Sequence, residues 1–161
     1  MFKSLILSGL LVAAPSLQAN WPAKYSFDEV ECMAMNIYHE THASSLADAS
    51  AVSDVVLNRM NDARWPNTVC EVIQQAQYTS SGEIKKHKCQ FSWYCDGKPD
   101  EPINNKAWAR SVQMAYNFLN HGKMRGITEG STHYHAYYVS PRWGTKKDRV
   151  VRIGSHYFYR K

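Results

Sequence analysis

The chain has 161 residues, a formal net charge of +5 from 19 Lys and Arg against 14 Asp and Glu, and 44% hydrophobic residues. That length suits one domain, and the absence of internal repeats or low-complexity tracts excludes a repeat array or a biased linker. The basic excess suits an anionic polymer such as cell wall, nucleic acid or lipid headgroups, although Lys and Arg are scattered and pairs such as Lys85-Lys86 and Lys146-Lys147 read equally as solvated surface.

The first residues carry a lone Lys3, an apolar run from Leu5 to Ala14, then Pro15 and a small Ala19. This is the pattern of a secretory signal peptide over residues 1–19, and the run is shorter than the about 20 apolar residues a membrane-spanning helix needs. Cleavage after Ala19 leaves residues 20–161 as a single domain, exported to the periplasm or the extracellular space with no stable membrane insertion.

Ser26 followed by Glu29 forms a capping box, which predicts a first helix from Phe27 to about Glu40. Val30, Met33, Ala34, Ile37 and Tyr38 recur on one face of it, and Glu40 falls at the edge of that apolar stripe. Ser45 and Asp48 repeat the capping pattern before a second helix whose face of Ala49, Val52, Val55, Val56 and Met60 is small enough for close helix packing. Pro66 stops that unit. Thr68 and Glu71 cap a short third helix through about Gln77, and Asn104 or Asn105 opens a fourth ending near Gly122, with Trp108, Val112, Ala115, Tyr116 and Leu119 on its buried side. The polar stretch 80–102, with its glycines and prolines, reads as a long surface loop carrying an aromatic knot. After Gly130 the period changes to alternation, over residues 131–140 and again over 149–160 with a turn at Gly154-Ser155. The pattern predicts an α+β fold: a mainly helical domain with a small C-terminal antiparallel sheet.

Four cysteines, Cys32, Cys70, Cys89 and Cys95, stand in a chain read as exported, where disulfides persist. Four cysteines allow three connectivities. Cys89 and Cys95 flank a short aromatic segment, so a local staple is preferred there, which leaves Cys32 with Cys70. No C-x-x-C spacing supports a zinc site.

A carboxyl group beside apolar side chains is penalised when ionised, so it holds its proton nearer to neutral pH. Glu40 is placed for such work as a general acid; it is equally placed to pair with a neighbouring His or Arg in a last helical turn. His39, His42, His133 and His135 suggest a rival chemistry, a zinc-dependent wall amidase or peptidase. The zinc helix motif needs its two His four apart, however, whereas His39 and His42 are three apart. Phe91, Trp93, Tyr94, Tyr134, Tyr137, Tyr138, Trp143, Tyr157 and Phe158 supply faces that stack on sugars or bases or fill a core. Gln90 and Ser92 flank Phe91 and can hydrogen-bond a ligand or stabilise a turn. Such aromatics and charge would also serve a non-catalytic wall-binding module. No nucleophile elbow, phosphate-binding glycine loop or dinucleotide fingerprint is present.

Taken in order, NIYHETH, ADASAVSDVVLNRM, WPNTVCEVI, CQFSWYCDGK, THYHAYYVSPRW and RIGSHYFYRK resemble the SleB/CwlJ-type cell-wall hydrolases, from about Cys32 to the C-terminus. The resemblance implies a lysozyme-like, mainly helical catalytic domain that cleaves the β-1,4 bond between N-acetylmuramic acid and N-acetylglucosamine as a lytic transglycosylase or muramidase. It implies a catalytic glutamate in a Tyr-x-Glu-Ala-Arg element, which falls on Tyr38 to His42 and makes Glu40 the acid; Thr41 and His42 stand where the family has Ala and Arg. It places Gln90, Ser92, Trp93, Tyr134, His135 and Tyr137 against substrate, with Tyr134 and Gln90 orienting sugar or carboxyl and Trp93 and Tyr137 as stacking walls. The implied partner is the peptidoglycan glycan strand, not nucleic acid, bound by a monomer without cofactor or metal.

Overall fold

The computed structural model describes residues 24–160, so the expected leader lies outside the described residues. Helix α1 (Phe27–Thr41) starts on the Ser26/Glu29 capping box, with the Glu29 N–H donating to Ser26 Oγ at 3.2 Å and the Ser26 N–H donating to Glu29 Oε2 at 3.1 Å. It ends at His42, whose φ of 51° turns the chain out of the helix while its N–H still reaches Tyr38 O at 2.9 Å. Helix α2 (Leu46–Met60) follows at once, capped by Ser45.

Helix α2 is the centre of the molecule. Ala49, Val52 and Val56 join the main core with Met33, Ile37, Val72 and Phe118, while Ala51 and Val55 pack on the opposite side against Phe158. A helix covered on both sides buries its polar positions too, and so Asp48, Asp54 and Arg59 are all buried. The stripe read from sequence is only one half of this buried surface.

Helix α3 (Val69–Ile73) is shorter than its capping signal suggests. Ala76–Tyr78 is strand β1, paired antiparallel with β2 (Ile84–Cys89) around a turn where Gly82 has φ +84°. The expected extension of the helix through Gln77 is therefore overturned: beyond Ile73 the backbone finds its partners across the hairpin, with the Gln90 N–H donating to Gln75 O at 2.9 Å. Part of the expected loop is likewise a strand, and it leads into a tight 3₁₀ turn over Ser92–Cys95. Disulfides join Cys89 to Cys95 across that turn and Cys32 of α1 to Cys70 of α3.

Helix α4 (Asn105–His121) is capped by Asn104 and closed by Gly122 at φ +63°. It buries Ser111, Ala115, Phe118 and Leu119; of the expected face, Trp108, Val112 and Tyr116 are only partly covered. The C-terminal sheet runs in the order β3 (His133–Ala136), β5 (His156–Arg160), β4 (Asp148–Ile153), all antiparallel. Tyr134 pairs with Phe158 and Ala136 with His156, so alternation puts these four residues on one face, the face that carries Phe158 onto α2.

Candidate active site

Three elements converge where α1 ends. The helix delivers Glu40, β3 delivers Tyr134, and the end of α2 delivers Arg59. With the Cys89–Phe91 segment, the 3₁₀ turn and His156 of β5, they enclose a cleft of about 400 Å³. Glu40 is half-buried in it, and the Tyr134 hydroxyl donates to Glu40 Oε2 at 3.0 Å. Among the described residues lining this cleft, Glu40 is the sole carboxylate.

The electrostatics follow from the concave site. Burial pushes the Glu40 carboxyl above its ordinary value, and the Tyr134 hydrogen bond and the Arg59 charge offset only part of that. Burial and the neighbouring carboxylate hold the Tyr134 hydroxyl well above the usual phenol range, so it keeps its proton and acts as donor. Burial also pulls Arg59 down to about 10, leaving it a cation at any physiological pH. Its Nε–H donates to Thr132 O at 2.9 Å, its guanidinium lies 4.3 Å from the Trp65 ring centroid and 5.3 Å from that of Phe91, and its buried Nη1 makes no hydrogen bond.

The residues singled out from sequence divide. Gln90, Ser92 and Trp93 line the cleft beside Glu40. Trp93 is fixed on two sides, its Nε1–H donating to Asn36 Oδ1 at 3.1 Å and its ring stacked on His39 at 4.7 Å. His135 reaches the rim with both nitrogens engaged, Nδ1 2.8 Å from Ala136 O and Nε2 2.7 Å from the Tyr159 hydroxyl. Tyr137 lies outside the cleft, in a neighbouring groove with the Arg152 guanidinium over its ring; exposed Tyr138 lines the cleft instead. Arg59 and His156 were not singled out from sequence, since Arg59 sits in an ordinary helix end and His156 in an ordinary alternating strand.

Three other carboxylates, Asp54, Asp96 and Glu129, do not line the cleft. Asp54 is fully buried and accepts from Arg125 Nη1, the Gly126 N–H, and the Thr128 N–H and hydroxyl at 2.6–3.1 Å. Asp96 faces Lys98, and Glu129 is exposed at a turn. The four histidines of the zinc reading also disperse: His39 to Asp100 O and Trp93, exposed His42 to the helix end, His133 to Thr132 and Trp65, His135 to Tyr159. Among the described residues, no three His, Cys, Asp or Glu gather in a group that could hold a metal ion. No helix among them is long and apolar enough to cross a membrane.

The sequence pattern of a family described as cell wall hydrolase matches residues 44–159, a stretch that begins just after Glu40 and includes the rest of the cleft apart from His39. A spore cortex-lytic enzyme of Halalkalibacterium halodurans is 28% identical over 148 residues, covering 86% of this chain and 37% of that protein. One from Bacillus cereus is 26% identical over 144 residues, covering 86% and 47%. The chain thus spans less than half the length of these curated relatives. Among solved structures, the catalytic domain of the Bacillus cereus SleB protein is similar with a TM-score of 0.59 at 25% identity, covering 84% of this chain and 92% of that one. The catalytic domain of SleB from Bacillus anthracis, described as a germination-specific lytic transglycosylase, shares the fold with a TM-score of 0.60 at 24% identity, over 85% and 98%.

Proposed function

Because the chain belongs to the cell wall hydrolase family, we propose that it cleaves peptidoglycan glycan strands at the β-1,4 bond between N-acetylmuramic acid and N-acetylglucosamine, with Glu40 as general acid. The observation that carries this reading is a carboxyl group, alone of its kind among the described residues of the cleft wall, whose burial holds its proton nearer to neutral pH. Protonation of the glycosidic oxygen requires that state.

Hydrolysis by water ordinarily uses two carboxyl groups about 5 to 9.5 Å apart, according to stereochemistry. A single carboxylate suits transglycosylation better. Glu40 gives its proton to the leaving oxygen, the muramyl 6-hydroxyl closes on C1, and the proton lost from that hydroxyl returns to the carboxylate, leaving an anhydro-muramyl end. Tyr134 and Gln90 orient carboxyl and sugar, Ser92 and His135 contact the sugar, and Trp93 forms a stacking wall. The protein acts as an exported monomer, in a compartment where its two disulfides persist.

A digest of purified peptidoglycan, read by mass spectrometry, tests this. Anhydro-muropeptides from the parent and none from Glu40→Gln are expected. Undiminished activity in the folded variant removes Glu40 from the chemistry.

A further inference from the structure

One buried titratable side chain of the cleft has no part in the mechanism above. His156 sits in the central strand of the sheet, is 7% exposed and lines the cleft with Glu40. Its ring packs edge-on against Tyr134 with centroids 5.1 Å apart, and Tyr134 is the residue whose hydroxyl holds Glu40. The tyrosine therefore stands between the two, contacting one with its ring and the other with its hydroxyl.

Behind His156 the fold devotes several groups to one carboxylate. Asp48, in the first turn of α2, is itself buried and places Oδ1 3.7 Å from His156 Nδ1, an atom that is buried and has no hydrogen-bond partner of its own. Ser44 and Ser45 hydroxyls donate to Oδ2 at 3.4 Å each, and the Ser155 N–H donates to Oδ1 at 3.3 Å. Gly154, at φ +50°, wraps the turn between β4 and β5 so tightly over Asp48 that a Cβ there would overlap the carboxylate. A carboxylate 3.7 Å from Nδ1 favours the tautomer with its proton on that nitrogen, which leaves Nε2, on the other edge of the ring, as an acceptor. Burial lowers the imidazole's affinity for a second proton more than Asp48 raises it, so the ring is a neutral acceptor at neutral pH.

We propose that His156, oriented by Asp48, touches the substrate and takes the proton that the muramyl 6-hydroxyl loses, leaving Glu40 to serve as the acid. This rests on the glycan-cleaving reading of the cleft and divides the two proton transfers assigned above to one carboxyl. Glu40 gives its proton to the bridging oxygen as the bond from C1 to that oxygen breaks, the electron pair leaving with the oxygen. O6 forms the new bond to C1, and its proton passes to Nε2. The imidazolium then returns a proton through water to the Glu40 carboxylate, which restores both groups. The division suits a site in which Tyr134 already occupies one oxygen of Glu40.

The charged and titratable groups around His156 are Asp48 from α2 and Tyr134 and His135 from β3, with Glu40 and Arg59 lining the same cleft. The test is a peptidoglycan digest by the parent, His156→Gln and Asp48→Asn, following rate against pH, the ratio of anhydro to reducing ends, and the melting temperature. For His156→Gln we expect about a 10² to 10⁴-fold loss in kcat, the span of a lost general base, at a melting temperature close to the parent's. The acid limb of its kcat/KM profile should disappear and its anhydro share should fall as water competes for C1. Asp48→Asn should retain more activity, with the acid limb moved to lower pH because the imidazolium has lost its carboxylate. Unchanged kcat and acid limb in a folded His156→Gln overturn the proposal, as does a loss of activity that tracks a loss of stability at an unaltered product ratio. A parent enzyme that releases only reducing ends refutes the transglycosylase reading itself, a distinct result.

Discussion

Tyr134→Phe removes one atom and tests the electrostatics of the cleft. The Tyr134 hydroxyl donates to Glu40 Oε2 at 3.0 Å and is the strongest influence opposing the effect of burial on that carboxyl. A hydrogen bond to a charged group contributes about 1.5–3 kcal/mol, and about 1.4 kcal/mol corresponds to one pH unit. The bond favours the carboxylate form, so its loss moves the Glu40 pKa further up. An acid must be protonated to act, and so the alkaline limb of kcat/KM should move to higher pH. At the optimum, kcat should fall about 10- to 100-fold, because the carboxyl is no longer held in one orientation. The aromatic ring stays, with its contacts to Phe91, His156 and Phe158 intact, so the melting temperature should shift by only a few degrees. The assay is the rate of anhydro-muropeptide release from purified peptidoglycan between pH 4 and 9. An alkaline limb that stays in place or moves down refutes the reasoning, and a stability loss as large as the loss in rate makes Tyr134 a structural residue.

Glu40→Gln should gain stability where it loses activity. Since the folded protein holds the Glu40 proton above the unfolded value, the group's contribution is fully present below the ordinary carboxyl range and is lost as pH rises through its raised pKa. Urea unfolding should find the variant more stable than the parent at neutral pH and the difference shrinking toward pH 4. The two disulfides should separate by function: opening Cys32–Cys70, 38 residues apart, costs about 4 kcal/mol by loop entropy, against about 2 for the six-residue Cys89–Cys95 loop. Replacing both Cys89 and Cys95 by Ser should nonetheless raise KM more, because that loop holds Gln90 to Trp93 against the cleft; equal KM values for the two pairs would contradict this. Asp54→Ala strands a buried network of donors that includes Arg125, and should destabilise by about 3–5 kcal/mol in denaturant titration without altering the ratio of anhydro to reducing ends.

Much of the helical scaffold was legible because its signals are local. The boundaries of α1, α2 and α4 follow from Ser26, Ser45 and Asn104 as caps and from apolar spacing, both of which act within a turn or two of the chain. Helix α3 shows where such reasoning stops. Thr68 marks its start correctly, but its end at Ile73 depends on a pairing between Ala76–Tyr78 and Ile84–Cys89 that no cap announces. The buried charges of α2 were illegible for a related reason: Asp48, Asp54 and Arg59 look like a solvent face until helices cover one side of α2 and the sheet the other.

The candidate site divides in the same way. Glu40 stood out by itself, a carboxylate at the edge of an apolar stripe, which is a contradiction visible within one helix. Its environment is contributed by residues 59, 90–93, 134 and 156, which only the fold brings together. Strand alternation could place Tyr134 and His156 each on some face, but the pairing of β3 with β5 decided that they share one, and the packing of that sheet on α2 set Asp48 behind the imidazole. The sequence by itself determined the helices, their caps and the carboxyl that is out of place. Tertiary structure decided which side chains surround that carboxyl, because burial and charge act through space over a few ångströms regardless of separation along the chain.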